Sequence, residues 1–220
     1  MSDKAHIVRE YDKELTHLGE LLDEMTVAAQ EILACAEFKV LGTGAGNCGT
    51  TGALSHLNGL YDTVNHRTML ILTKRQPMSE DLRQVMGVVH IASELQRLGA
   101  LANSICERGQ SIDNQLLVAD VNKGLATLFR LVRGFFSDAM SGYRSADSQR
   151  LLAMVDADNA VDEAYHRLVA DIVTMFSQHT SYALDLTQLL FCAKGLERIG
   201  DHVAHIVHAG YVAHTGELPG

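Results

Sequence analysis

An apolar stripe near the start of the chain fixes its class. Tyr11, Leu15, Leu18, Leu22, Met25, Ala29 and Ile32 step by four and three, with charged residues between them. A spacing of about 3.5 residues puts all of them on one face of a long helix, the pattern of a helix packed in a bundle. The same period returns further along. One helix is expected over about 51–73, stopping before Pro77, which cannot donate to a continuing helix. A third starts near Ser79, a suitable N-cap, with Glu80 and Asp81 in the first turn where the helix dipole favours acids. Its stripe reads Leu82, Val85, Val89, Ala92, Leu95, Leu98, Ala102 and Ile105. A fourth covers about 113–141 through Leu117, Val121, Leu125, Leu128, Val132 and Phe135, a fifth follows Ser145, and a sixth runs from about 181 to the His214 region. The best strand signal, Phe38-Lys39-Val40-Leu41, is short and isolated. Two prolines and 5% aromatics in 220 residues agree with an all-α fold of six long helices.

The chain also resembles itself. Glu94-Leu95-Gln96-Arg97-Leu98-Gly99-Ala100 recurs as Gly195-Leu196-Glu197-Arg198-Ile199-Gly200-Asp201, and the stretch from Leu54 through Asn58 to Tyr61 lies over Asp158 through Asp162 to Tyr165. The offsets are about 101 and 104 residues, so a short indel separates the two matches. Two tandem three-helix bundles, 1–110 and 111–220, related by a pseudo-two-fold internal repeat, are the simplest account.

The fifth helix carries the most informative pattern. Its seam reads Leu151, Val155, Asp158, Asp162, Tyr165, Val169, Ile172, Phe176, so two carboxylates occupy consecutive positions in an apolar row. A buried, unpaired carboxylate costs several kcal/mol, which calls for a cation, a metal or solvent. The sixth helix offers Glu197 and Asp201, again one turn apart. Two such pairs on adjacent helices present four hard oxygen ligands to a divalent or trivalent metal ion. The competing reading places the second pair on a solvated face, ion-paired to Arg198 or Lys194. His202, His205 and His208 step by three and drift around the helix, so they cannot all face one ion; surface histidines and a contribution of His205 or His208 to a metal both stay open.

Other features restrict function more than they assign it. The formal charge of −9 argues against electrostatic binding of nucleic acid or an anionic membrane. No apolar run approaches the ~18–20 residues of a membrane span, and MSDKAHIVREYDKEL lacks a signal peptide's apolar stretch, so a cytoplasmic protein without membrane insertion is expected. Cys35, Cys48, Cys106 and Cys192 are scattered, which argues against a zinc ribbon or a disulfide framework. Gly44-Ala-Gly46-Asn-Cys-Gly49 fits GxGxxG, but helices surround it where a nucleotide fold needs a βαβ unit, so a linker is expected there in preference to an anion site.

Two segments resemble a known family. Thr73-Lys74-Arg75-Gln76-Pro77-Met78-Ser79-Glu80-Asp81-Leu82-Arg83 is similar to the RQPxxxDLR segment of PhoU-type phosphate-signalling proteins, and Val161-Asp162-Glu163-Ala164-Tyr165 through Leu196-Glu197-Arg198-Ile199-Gly200-Asp201 is closer still. The resemblance covers nearly the whole chain. It implies two tandem three-helix bundles, each with an E/D-x-x-x-D metal motif on paired helices, holding iron, zinc, manganese or nickel. It also implies a cytoplasmic homodimer acting as a negative regulator of the phosphate-starvation response, between a phosphate ABC transporter ATPase and a sensor histidine kinase.

Carried over, the second motif is intact as Asp158, Asp162, Glu197 and Asp201; His205 and Arg198, by their places on the same helix, are candidates for a further ligand or a supporting group. The first motif reads Leu54, Asn58, Gln96 and Ala100, all neutral, while Glu94 lies two residues away on another face. One strong metal site, in the second bundle, is therefore expected. No nucleophile–base pair or phosphate loop stands out, which favours a regulatory adaptor over an enzyme. A carboxylate-bound metal enzyme or a metal-storage bundle is the alternative, although the Glu-x-x-His pairs usual in di-iron bundles are missing from the site.

Overall fold

A computed structural model describes residues 2–42, 48–112, 119–178 and 180–219. Among the described residues seven α-helices follow one another: α1 Ser2–Leu41, α2 Thr51–Arg75, α3 Glu80–Gly109, α4 Ala119–Arg144, α5 Ser148–Ala153, α6 Asn159–Gln178 and α7 Ala183–Thr215, with one 3₁₀ turn at Thr180–Tyr182. No strand occurs among the described residues, and Phe38–Leu41 complete α1. None of the described helices is long and apolar enough to cross a membrane.

The stripes become the core. In α1, Leu18, Leu22, Met25, Ala29 and Ile32 are buried and Tyr11 and Leu15 pack at the margin. In α3, Val85, Ala92, Leu95, Leu98, Ala102 and Ile105 are buried, but Leu82 is exposed and Val88 takes the inward place expected of Val89. Helices α1, α2 and α3 pack on one another, α4 through α7 do likewise, and α3 lies along α7. That last seam is antiparallel and tight. A Cβ on Gly87 would stand 2.6 Å from Ala213 Cβ, and one on Gly195 would stand 2.9 Å from Ile105 Cδ1. Hydrogen at these two positions is what lets the helices close to this distance.

Three expectations need correction. The fifth helix is not continuous: α5 ends at Ala153, and a run of turns precedes α6. Met154, Ala157 and Val161 each donate to the carbonyl three residues back, and the side-chain amide of Asn159 donates to the Asp156 carbonyl at 3.1 Å. The Asn159 side chain offers the backbone such a local alternative, and the stretch 156–159 leaves the ladder despite its heptad spacing. Secondly, Ser79 holds the N-cap position of α3 but makes no side-chain cap bond. Thirdly, a disulfide joins Cys35 near the end of α1 to Cys48 before α2, with Cα atoms 5.8 Å apart and the Cys106 sulfur 3.6 Å from that of Cys35. Spacing along the chain hides this pairing, because it depends on the return of the chain from α1 to α2. Of the glycine-rich segment, residues 43–47 lie outside the described residues; Gly42 is left-handed at φ 65°, as a helix C-terminus favours.

Candidate metal centre

Three of the four acids of the second motif meet where α6 crosses α7. Leu196, Ile199 and Val203 bury one face of α7, which leaves Glu197 and Asp201 one turn apart beside α6. Gly200 sits between them, and a Cβ there would meet Val161 Cγ1 at 3.1 Å. This close approach brings Asp162, in the first turn of α6, to the α7 acids. Oxygens of Asp162, Glu197 and Asp201 all lie within 4.8 Å of one another. Asp158 is not in this group. It stands on the turn before α6, where its carbonyl accepts from the amides of Val161 at 2.8 Å and Asp162 at 3.0 Å.

Among the described residues, Lys194 pairs with one of the three acids. Lys194 Nζ donates to Glu197 Oε1 at 2.6 Å and stands 5.4 Å from the Tyr165 ring centre. The hydrogen bond to Glu197 raises the Lys194 pKa above its ordinary value, with the charges of Glu197 and Asp201 adding to it. So the ion pair of the competing reading exists, through Lys194; Arg198 is exposed. It does not satisfy the site. The second oxygen of Glu197, Oε2, is buried and has no hydrogen-bond partner. An orphaned buried acceptor costs about 1–3 kcal/mol, more when charged. Each further pair of carboxylates at this separation repels by roughly 1 to 3 kcal/mol, depending on water. Three carboxylates, one ammonium and an orphaned oxygen fit a bound metal ion, which would supply the missing positive charge.

The corresponding place in the first half is chemically closed. Gln96 Nε2 donates to Asn58 Oδ1 at 3.1 Å, so the two amides that replace acids satisfy each other. Leu54 and Ala100 bring no donor atom.

Three histidines of the last helix point elsewhere. His202 and His205 both turn Nδ1 towards Glu94 of α3, at 2.6 and 3.4 Å, and His214 Nε2 lies 3.0 Å from the Tyr143 carbonyl oxygen. His205 therefore faces the α3–α7 seam and not Asp201. The pairing with Glu94 spans more than a hundred residues of sequence, and no local spacing signals it.

The chain has counterparts among known proteins. The PhoU domain family model matches residues 55–109 and 125–209, well over half of the chain. The chain belongs to the PhoU family. It is 28% identical over 218 residues to the phosphate-specific transport system accessory protein PhoU homolog of Rhizobium meliloti, covering 98% of this chain and 91% of that one. With the homolog from Caulobacter vibrioides it shares 27% over 213 residues, 96% and 93% of the two chains. The crystal structure of PhoU from Pseudomonas aeruginosa superimposes with a TM-score of 0.80 at 19% identity, over 94% of this chain and all of that one.

The PhoU-like segments divide into scaffold and chemistry. In Arg75-Gln76-Pro77-Met78-Ser79-Glu80-Asp81-Leu82-Arg83, the Arg75 guanidinium forks onto Glu14 of α1 with bonds of 3.0 and 3.2 Å. Gln76 and Ser79, at φ 48° and 52°, turn the chain on either side of Pro77. This segment fastens the α2–α3 turn to α1 and holds no ligand cluster. In Leu196-Glu197-Arg198-Ile199-Gly200-Asp201, by contrast, Leu196 and Ile199 anchor, Gly200 admits α6, and the two acids face Asp162.

Proposed function

We propose that this chain is an accessory protein of a phosphate-specific transport system. In this reading it is a cytoplasmic, metal-binding adaptor that restrains phosphate uptake and the phosphate-starvation response. Membership of the PhoU family supports the transport-system role, since relatives carry that description. The observation that carries the metal-binding part is the carboxylate group of Asp162, Glu197 and Asp201 with the orphaned Glu197 Oε2. Asp158, one turn before Asp162, completes the ligand set once metal draws its side chain in. The donors are all oxygen, which favours manganese or iron over zinc and nickel. The half formed by residues 1–110 acts as scaffold, with its motif closed by Asn58 and Gln96, and the half formed by residues 111–220 carries the ion.

The partners are a transporter ATPase and a sensor histidine kinase, with the chain as a homodimer. No catalysis is assigned to the carboxylates; their task is to fix a metal whose charge shapes a docking face. Pull-down of the ATPase and the kinase, with manganese and after chelation, tests this on the parent chain and on Asp162→Asn/Glu197→Gln. Binding that falls at least tenfold on chelation and in the variant is expected. Equal capture in all four conditions would leave the metal without a signalling role, and turnover of a phosphate ester would revive an enzymatic one.

A further inference from the structure

Glu94, His202 and His205 converge at the middle of the α3–α7 seam. The Glu94 and His202 side chains are 15% and 13% exposed, whereas His205 is 63% exposed and opens the group to solvent. A step of three along a helix turns the side chain back by only about 60°, so His202 and His205 reach one point on α3. Their rings meet edge to face with centroids 6.0 Å apart. Nδ1 of each faces the same oxygen, Glu94 Oε2, while Oε1 has only Arg97 Nη1 at 4.0 Å. One ligand atom from each of the three residues lies within 4.8 Å of the other two.

We propose that these three side chains form a second metal site, selective for late first-row divalent ions such as zinc, which clips α3 to α7. Two imidazoles and a carboxylate are the donor set that zinc takes in three-ligand sites, with the fourth position left to water. Imidazole nitrogen discriminates against magnesium and calcium, which demand oxygen. A cation among the three groups replaces the proton that each Nδ1 would otherwise direct at Oε2: the 3.4 Å between His205 and Glu94 already suits two ligands of one zinc, and the 2.6 Å between His202 and Glu94 widens by less than ~1 Å when the ion enters. The site is not a copy of the acidic motif. At the repeat offset, Glu94 corresponds to Gly195, His202 to Leu101 and His205 to Ser104, so the set exists once in the molecule. It differs from the Asp162–Glu197–Asp201 centre in residues, in helix pair and in donor chemistry, and does not depend on it.

Beside it runs a groove of about 570 Å³ between α3 and α7, walled by Met86, Gly87, Ala209 and Val212, with Glu94 and His205 among its lining residues. The ion therefore sits at the edge of an apolar channel, open to solvent through His205.

Zinc titration by calorimetry on the chelator-stripped full chain, with excess magnesium present, tests the proposal. The parent is expected to bind one zinc more than His202→Ala/His205→Ala. Asp162→Asn/Glu197→Gln/Asp201→Asn is expected to retain that zinc. His205→Ala alone, a change at an exposed side chain that leaves the core intact, should weaken it at least tenfold. Cobalt in place of zinc should give visible bands that the double histidine variant loses. Equal zinc stoichiometry with affinity within threefold in the parent and in both histidine variants overturns the site, as does loss of all zinc from the acidic variant with its helical circular dichroism intact.

Discussion

Single residues carry the electrostatic signature. Glu197 has one oxygen on Lys194 and one buried without a partner. Replacing it with Gln removes a charge from a crowded acidic group, so the metal-free protein should melt at the same temperature or slightly higher. The rise in melting temperature on adding manganese should vanish. A parent and a Glu197→Gln chain that respond alike to manganese in a thermal scan would take Glu197 out of the site. Tyr143 gives a second readout. Burial against α7 pushes its phenol up to about 12 from 10.0, with Asp23 adding to the shift. The folded pKa exceeds the unfolded one, so the fold favours the protonated form. Its contribution is intact below pH 10 and is lost as the pH rises from about 10 through about 12. Absorbance at the tyrosinate band should show a late step that Tyr143→Phe removes; a parent whose tyrosines all titrate together near 10 would contradict the burial.

Helices and their connections decide what a single sequence can reveal. The stripes of α1 and α4 were legible because 3.5-residue periodicity and burial follow the same geometry: Val121, Leu125, Leu128, Val132 and Phe135 all point inward. The break between α5 and α6 was not, since heptad spacing continues through 154–158 while Asp156 and Asn159 redirect the backbone. One-turn spacing marks Asp158/Asp162 and Glu197/Asp201 as candidates, and the packing of α6 on α7 groups three of these four, whereas Glu94, His202 and His205 meet only through the α3–α7 packing. The Cys35–Cys48 disulfide likewise depends on a chain reversal. It makes a countable prediction. Cys106 and Cys192 are both buried, and burial pushes the Cys192 thiol up to about 12. At pH 8 the native protein should react slowly with Ellman's reagent, release two equivalents on denaturation, and give four only after reduction. Four equivalents without a reductant would remove the disulfide.

Across the whole molecule the two halves, α1–α3 and α4–α7, differ in chemistry. Where the second half gathers three acids, the first pairs Asn58 with Gln96. Asn58→Asp/Gln96→Glu/Ala100→Asp should therefore create metal affinity in the first half, measured as added equivalents of manganese at equilibrium dialysis. It should also lower stability in the metal-free state, through repulsion of about 1 to 3 kcal/mol per carboxylate pair. Three of the chain's acids thus gather at one place, where the proposed metal ion would offset their share of the −9 charge. The most direct test is anomalous diffraction from crystals soaked with manganese. A peak between Asp162, Glu197 and Asp201, with none between Asn58 and Gln96, is the predicted result. No peak at the acidic group, or equal peaks in both halves, would contradict the account.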